Sequence, residues 1–186
     1  VSARDEWRSA RTLEDLGELT ARWLEGSLDS VPGHSGPPAD ETRCIAPTLA
    51  VLNRAGYVTT SSQPGLTSWE DGCQWRQRAF VTGLTGYRAA VAMSNAMLPL
   101  GYWVIVSHTP RRGRPGRDLP VTCQGDREVT GAGRARSLGD LRNWHTGFGR
   151  CHPDAVAAVA GALQVTVIDR EWGSNLMWDR LTAVVA

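Results

Sequence analysis

The sequence predicts an α/β (or α+β) fold, a single domain over residues 1–186 in which helices flank a mixed β-sheet. Three observations lead there. A chain of 186 residues with 41% hydrophobic and 21% charged side chains has the composition of one globular domain. Helix-like and strand-like segments alternate around residues 47–60, 87–107 and 153–185, the pattern of helices packed on a sheet. Hairpin chemistry around Gln124-Gly125-Asp126 argues against a purely parallel sheet.

The elements follow in order. In the N-terminal helix region, residues 1–28, Thr12 can cap a helix, with Asp15 in place of the usual Glu three residues on. Leu13, Leu16, Leu19, Trp23 and Leu24 then fall at helical spacing before Gly26. Residues 29–40 hold Pro32, Gly33, Gly36, Pro37 and Pro38 and read as a Pro/Gly loop. Pro47 suits the first turn of a helix that stops at Gly56. Tyr57–Thr60 reads as a strand and Ser61–Gly65 as a turn, followed by a loop with Trp69, Gly72 and Trp75. Arg78–Thr82 reads as a strand, Tyr87–Leu98 as a helix, and Tyr102–Ser107 as a strand buried on both faces. An arginine-rich loop (109–117) precedes a hairpin of Leu119–Cys123 and Arg127–Thr130. Ser137 caps a short helix, Pro153 opens another, Val165–Ile168 is a further buried strand, and Ser174 caps the last helix.

Composition excludes some chemistry. The 20 basic residues are all arginine, so no lysine can form a Schiff base or hold a nucleotide phosphate as in a P-loop. A net charge of +1 gives no strong average pull on nucleic acid or membrane, and no run of 18 apolar residues exists to span a bilayer. Cys44, Cys73, Cys123 and Cys151 show no framework spacing, and the start Val-Ser-Ala-Arg-Asp-Glu-Trp is polar where a secretory signal is apolar. Both point to the cytoplasm and reduced thiols.

The densest polar motif is Thr59-Thr60-Ser61-Ser62-Gln63, turned by Pro64-Gly65. It offers hydroxyl, amide and backbone donors without charge, the groups that hold a carbonyl, a ribose or a phosphate edge. The segment Gly56-Tyr57-Val58-Thr59-Thr60…Ser62-Gln63-Pro64-Gly65, the later Gln77-Arg78-Ala79-Phe80-Val81-x-Gly83 and the Trp-bearing first helix resemble an uncharacterised actinobacterial and phage domain family of unknown function, over roughly the first 85 residues. That resemblance implies no known chemistry. More loosely, the helix–Gly–strand–Thr-x-Ser-Ser–Gly order is similar to the wybutosine-synthesis methyltransferases. There a cysteine follows the serines where Gln63 stands here, so no methylation is carried over.

The leading reading is a domain that binds a small polar or nucleotide-like ligand. Thr60, Ser61, Ser62 and Gln63 contact it, Trp69 and Trp75 stack on it, and Arg78 meets an anionic group. Three presumed strands end in polar residues. If they run parallel, their carboxyl ends share a crevice that gathers His108, Asp169 and Glu171 as acid–base groups of a metal-independent transferase or hydrolase. No Gly-x-Ser-x-Gly elbow supports a Ser62–His108–Asp169 triad. His145-x5-Cys151-His152 lacks the paired close ligands of a zinc site, so no metal is assigned and the cofactor stays open. Two alternatives stand beside this. Arg111, Arg112 and Arg114 in an Arg-Gly-Arg-Pro core match an AT-hook, which fits a DNA-binding accessory protein of phage or mobile-element type. Eight tryptophans fit a non-catalytic protein-interaction module.

Overall fold

The computed structural model describes residues 2–113, 116–143 and 146–185. Helices α1 (Ala3–Ser9) and α2 (Leu13–Leu24) lead into a two-stranded hairpin, β1 (Ser30–Val31) and β2 (His34–Ser35). α3 (Ala46–Arg54) then feeds β3 (Val58–Gln63), β4 (Leu66–Glu70) and the long β5 (Cys73–Thr85). α4 (Tyr87–Met97) precedes β6 (Trp103–His108), and β7 (Leu119–Gln124) pairs with β8 (Arg127–Ala132). α5 (Leu138–Asn143), α6 (Pro153–Gly161), β9 (Leu163–Trp172) and α7 (Leu176–Val185) complete the described chain.

One strand organises the sheet. The second half of β5 pairs with β3 and with β9, which in turn pairs with β6; its first half pairs with β4 and with β7. The fold is the expected single domain mixing helices and sheet, and every described pairing is antiparallel. The alternating pattern in the sequence has a physical origin. β5 and β6 run in the same direction with α4 crossing between them, but β9 is inserted between the two strands and runs against both. Among the described residues no helix is long and apolar enough to cross a membrane.

Among the described residues three apolar clusters pack on the sheet, the smallest being Phe80, Val121, Ala132 and Ile168. Ala79, Val81, Val165 and Val167 pack against α3, α4 and α7 through Leu49, Met93, Met97 and Leu181. Val58 and Leu84 pack with Trp7, Leu16, Leu19, Phe148, Ala155 and Val159 from α1, α2, the Phe148–Arg150 turn and α6. Cys151 lies in that second core, and burial pushes its thiol up to about 11. The Thr12–Asp15 capping box of α2 forms as read from sequence, and hydrogen bonds from the Arg11 N–H first and then from Thr12 hold the Asp15 carboxyl below its ordinary range. His152 caps α6, its Nδ1 accepting from the Asp154 N–H at 3.2 Å. Glycine is required where α2 crosses α3, since a Cβ on Gly17 would sit 2.3 Å from the Asn53 carbonyl oxygen.

Three expectations change here. β6 is a strand at the edge of the sheet with Val106 exposed, not one buried on both faces. Residues 66–77 form a hairpin rather than a loop, closed by the two residues Asp71 and Gly72, both at positive φ, between the paired Glu70 and Cys73. The Pro/Gly segment 29–40 folds as the β1–β2 hairpin, and two indoles staple it to the helices. Trp7 Nε1 donates to the Ser30 carbonyl at 3.0 Å and Trp23 Nε1 to that of Gly36 at 2.9 Å.

Candidate functional site

The polar motif is strand β3, not a turn. Ser61, Ser62 and Gln63 pair with Thr82, Val81 and Phe80 of β5, with a register shift at Thr60. Buried Asn53 fixes how the strand starts, accepting from the Thr59 N–H at 3.0 Å and donating to Thr59 Oγ1 at 2.8 Å. Thr60 Oγ1 donates to the Thr82 carbonyl. Beyond these anchors, β3, α2 and the β1–β2 hairpin enclose a trough of two joined compartments, with Thr20, Trp23, His34, Thr59 and Thr60 common to both. The inner one, of about 180 Å³, is closed by Trp7, Pro32 and Phe148; the outer, of about 320 Å³, reaches Glu41, Thr42, Ser61 and Ser62. The rings of Trp23 and His34 meet edge to face, centroids 6.2 Å apart. The Ser61 and Ser62 hydroxyls have no hydrogen-bond partner among the described residues.

The structure separates the other expected ligand contacts from this trough. Gln63 is buried and fully used. Its Nε2 donates to the carbonyls of Arg78 (3.0 Å) and Val121 (2.9 Å), and its Oε1 accepts from Thr122 Oγ1 (3.2 Å). The side chain therefore ties β3, β5 and β7 together instead of reaching a ligand. Trp69 is 72% exposed on β4, and Trp75 sits opposite Ser68 and Gln124 in the second half-sheet. Arg78 lies between two indoles, 4.9 Å from the Trp103 ring centroid and 4.1 Å from that of Trp172. It donates to the carbonyls of Asp169 and Arg170, and its Nε is buried without a partner. Desolvation lowers its pKa from the usual arginine value.

The acid–base set divides in two. β3 and β9 run in the same direction and their carboxyl ends do meet, through the paired hydrogen bonds of Gly65 and Asn175 at 2.9 and 2.8 Å. β6 runs the other way, so His108 falls level with Leu163 at the start of β9, while Asp169 lies six residues further along. At about 3.3 Å per residue, that separation is roughly 20 Å. The expected convergence of His108 with Asp169 and Glu171 is thus overturned by the antiparallel insertion of β9. Asp169 is buried and accepts from Ser174 Oγ (2.8 Å) and the Glu171 N–H (3.0 Å), which shapes the turn into α7. It lines a separate cleft with Tyr102, Arg170, exposed Glu171 and Arg180.

Arg111 and Arg112 are exposed in the loop between β6 and β7, while Arg114 lies outside the described residues, as do Trp144 and His145. Among the described residues no three His, Cys, Asp or Glu side chains gather as a metal site would need. Sequence reasoning missed Trp23 and His34 as lining residues. The available signal was that a tryptophan of an amphipathic helix precedes, by eleven residues, a histidine in a Pro/Gly-rich segment, which placed neither against β3.

Comparison with known proteins adds the following. A model of the family described as Domain of unknown function (DUF6919) matches residues 2–186. A stretch of 60 residues is 35% identical to Methylenetetrahydrofolate reductase 1 of Schizosaccharomyces pombe, which is 32% of this chain and 10% of that protein. The chain thus spans about a tenth of the length of that curated relative. With its family model matched almost end to end, the chain belongs to the DUF6919 family.

Proposed function

We propose that this DUF6919 member binds a small, polar, nucleotide-like molecule in the trough between α2, the β1–β2 hairpin and β3. One observation carries the reading: Ser61 and Ser62, whose hydroxyls have no partner among the described residues, line a cleft that also presents the Trp23–His34 ring pair. A flat heterocycle can pack against aromatic edges while its rim groups exchange hydrogen bonds with hydroxyls. The two compartments lie below and within the range of small-molecule sites, which suits a nucleoside or a pterin better than a peptide. The name of the fission-yeast relative refers to a reduced folate, whose pterin ring is a heterocycle of this kind, so folates belong among the compounds tested. The reading is one of binding, with no acid–base role for His108, Asp169 or Glu171.

The test is a thermal-shift screen of nucleosides, nucleotides, S-adenosylmethionine, nicotinamide cofactors and tetrahydrofolate. A ligand at about a hundred times its Kd adds roughly 2.7 kcal/mol, which raises the Tm of a chain this size by roughly 5–10 °C. The double variant Ser61→Ala/Ser62→Ala should keep the wild-type Tm and weaken the hit by about tenfold, the value of one or two hydrogen bonds. A screen with no shift, or a hit indifferent to both serines, sinks the proposal.

A further inference from the structure

On the far side of the β1–β2 hairpin lies a larger cleft, of about 680 Å³, lined by Arg4, Trp7, Arg8, Ser30, Val31, Pro32, Ser35, Gly149 and Arg150. Its walls come from α1, the hairpin and the Phe148–Arg150 turn. Arg4 and Arg8 are one helical turn apart, so they share a face of α1. Between them Trp7 is 3% exposed and bonded to the Ser30 carbonyl, which pins that face against the hairpin. Arg150 approaches from the opposite wall, oriented by the hydrogen bond from its Nη1 to the Pro32 carbonyl. The two walls are packed backbone to backbone: a Cβ on Gly33 would meet the Thr146 carbonyl carbon at 2.9 Å, and one on Gly147 the Pro32 carbonyl carbon at 2.7 Å.

Three arginines from two distant segments therefore line one concavity, and among the described residues no carboxylate lines it. The nearby acids are engaged elsewhere. Glu6 pairs with Arg22, Asp5 accepts the Ser2 hydroxyl while also feeling Arg8, and Asp29 accepts the Ser30 hydroxyl. Arg4 and Arg8 make no ion pair among the described residues. Like charges in one cleft repel until an anion enters. The planar forked guanidinium matches tetrahedral phosphate oxygens two at a time. A concavity of this volume admits a small molecule, whereas a nucleic-acid backbone would need an open track.

We infer that this cleft is an anion site for a phosphorylated small molecule, held by Arg4 and Arg8 from α1 and by Arg150 from the facing turn. It stands independently of the trough, from which the hairpin separates it, although Trp7, Val31 and Pro32 contribute to both.

Calorimetric titration of the whole chain with inorganic pyrophosphate at low ionic strength tests this. Binding is expected, and Arg4→Gln/Arg8→Gln should weaken it by about tenfold or more at unchanged Tm, since both side chains are exposed and unpaired. Arg8→Glu should abolish it. The Arg111→Gln/Arg112→Gln variant, equal in charge lost, should bind as the wild type does, and so should Ser61→Ala/Ser62→Ala, which separates this site from the trough. Three results overturn the inference: no heat with pyrophosphate, equal loss in the Arg111/Arg112 variant, or uptake of a single-stranded oligonucleotide with pyrophosphate ignored.

Discussion

Arginine and tryptophan meet in two regions of this molecule to opposite ends. Along β5 and β9 they form a ladder: Arg76 faces Trp172, Arg78 sits between Trp172 and Trp103, and Arg170 covers Trp103 from outside. Terminal donors there are taken up by the chain itself, Arg76 by the Gly125 carbonyl and Arg78 by those of Asp169 and Arg170, while the Nε of each is buried without a partner. Around the β1–β2 hairpin the indoles instead spend their N–H groups on the hairpin backbone, and Arg4 and Arg8 line a cleft to which no described residue brings a carboxylate. Residue type does not separate the two regions; enclosure does, with Arg76 and Arg78 half-buried and Arg4 and Arg8 exposed. Where guanidinium groups are enclosed between indoles and donate to carbonyls of the chain the cluster holds the fold, and where they stand exposed beside a cleft a ligand can be received.

The sharpest way to break that comparison is Gln63→Ala. If Gln63 belongs with the consumed donors, its loss orphans two carbonyls and opens a cavity, costing about 4 kcal/mol, or roughly 8–16 °C in Tm, and leaves ligand affinity unaltered in the fraction that folds. A stable variant with weakened ligand binding would move Gln63 into the open class. Arg78→Ala should come next, losing two cation–π stacks and the packing between the indoles. A cost of about 3 kcal/mol in urea unfolding is expected, against little change for Arg4→Ala.

The smallest of these effects probes the core behind the hairpin. Cys151 keeps its proton in the native state up to about pH 11, whereas an ordinary thiol loses it near 9. The native state then holds more protons than the unfolded one across that window, so stability is complete below pH 9 and falls as the pH rises to 11. Urea titrations across the window should lose about 2 kcal/mol, and Cys151→Ala should lose less. Buried Tyr57, its phenol also pushed up by desolvation, supplies a second portion of the slope that the variant retains.

Much of the architecture was legible because it is locally encoded. The Thr12–Asp15 box, Pro153 at the start of α6, the hairpin around Gly125-Asp126 and the apolar run of β6 each announce themselves within a few residues. The hairpin at Asp71-Gly72 carried an equally local signal, yet Gln74, Arg76 and Gln77 gave the strand ahead of Arg78 the polarity of a loop. Arg76 is held by Trp172 and Gly125, dozens of residues away, which no local pattern reveals. The candidate site divides the same way. Thr60, Ser61 and Ser62 do line a cleft, but its other wall comes from α2 and the Pro/Gly segment. His108 was misplaced because strand direction is settled by which strand β9 pairs with, a choice made far from either end.

β5 is 13 residues long, and each half of it serves a different half-sheet. A slip of one residue would exchange Arg78 and Phe80 for Ala79 and Val81 on one face while breaking the Asp71-Gly72 turn at the other end. Neither half-sheet can therefore adjust its alignment alone. A fault anywhere along this strand is felt by both, and the molecule should come apart in one step, with no half left standing.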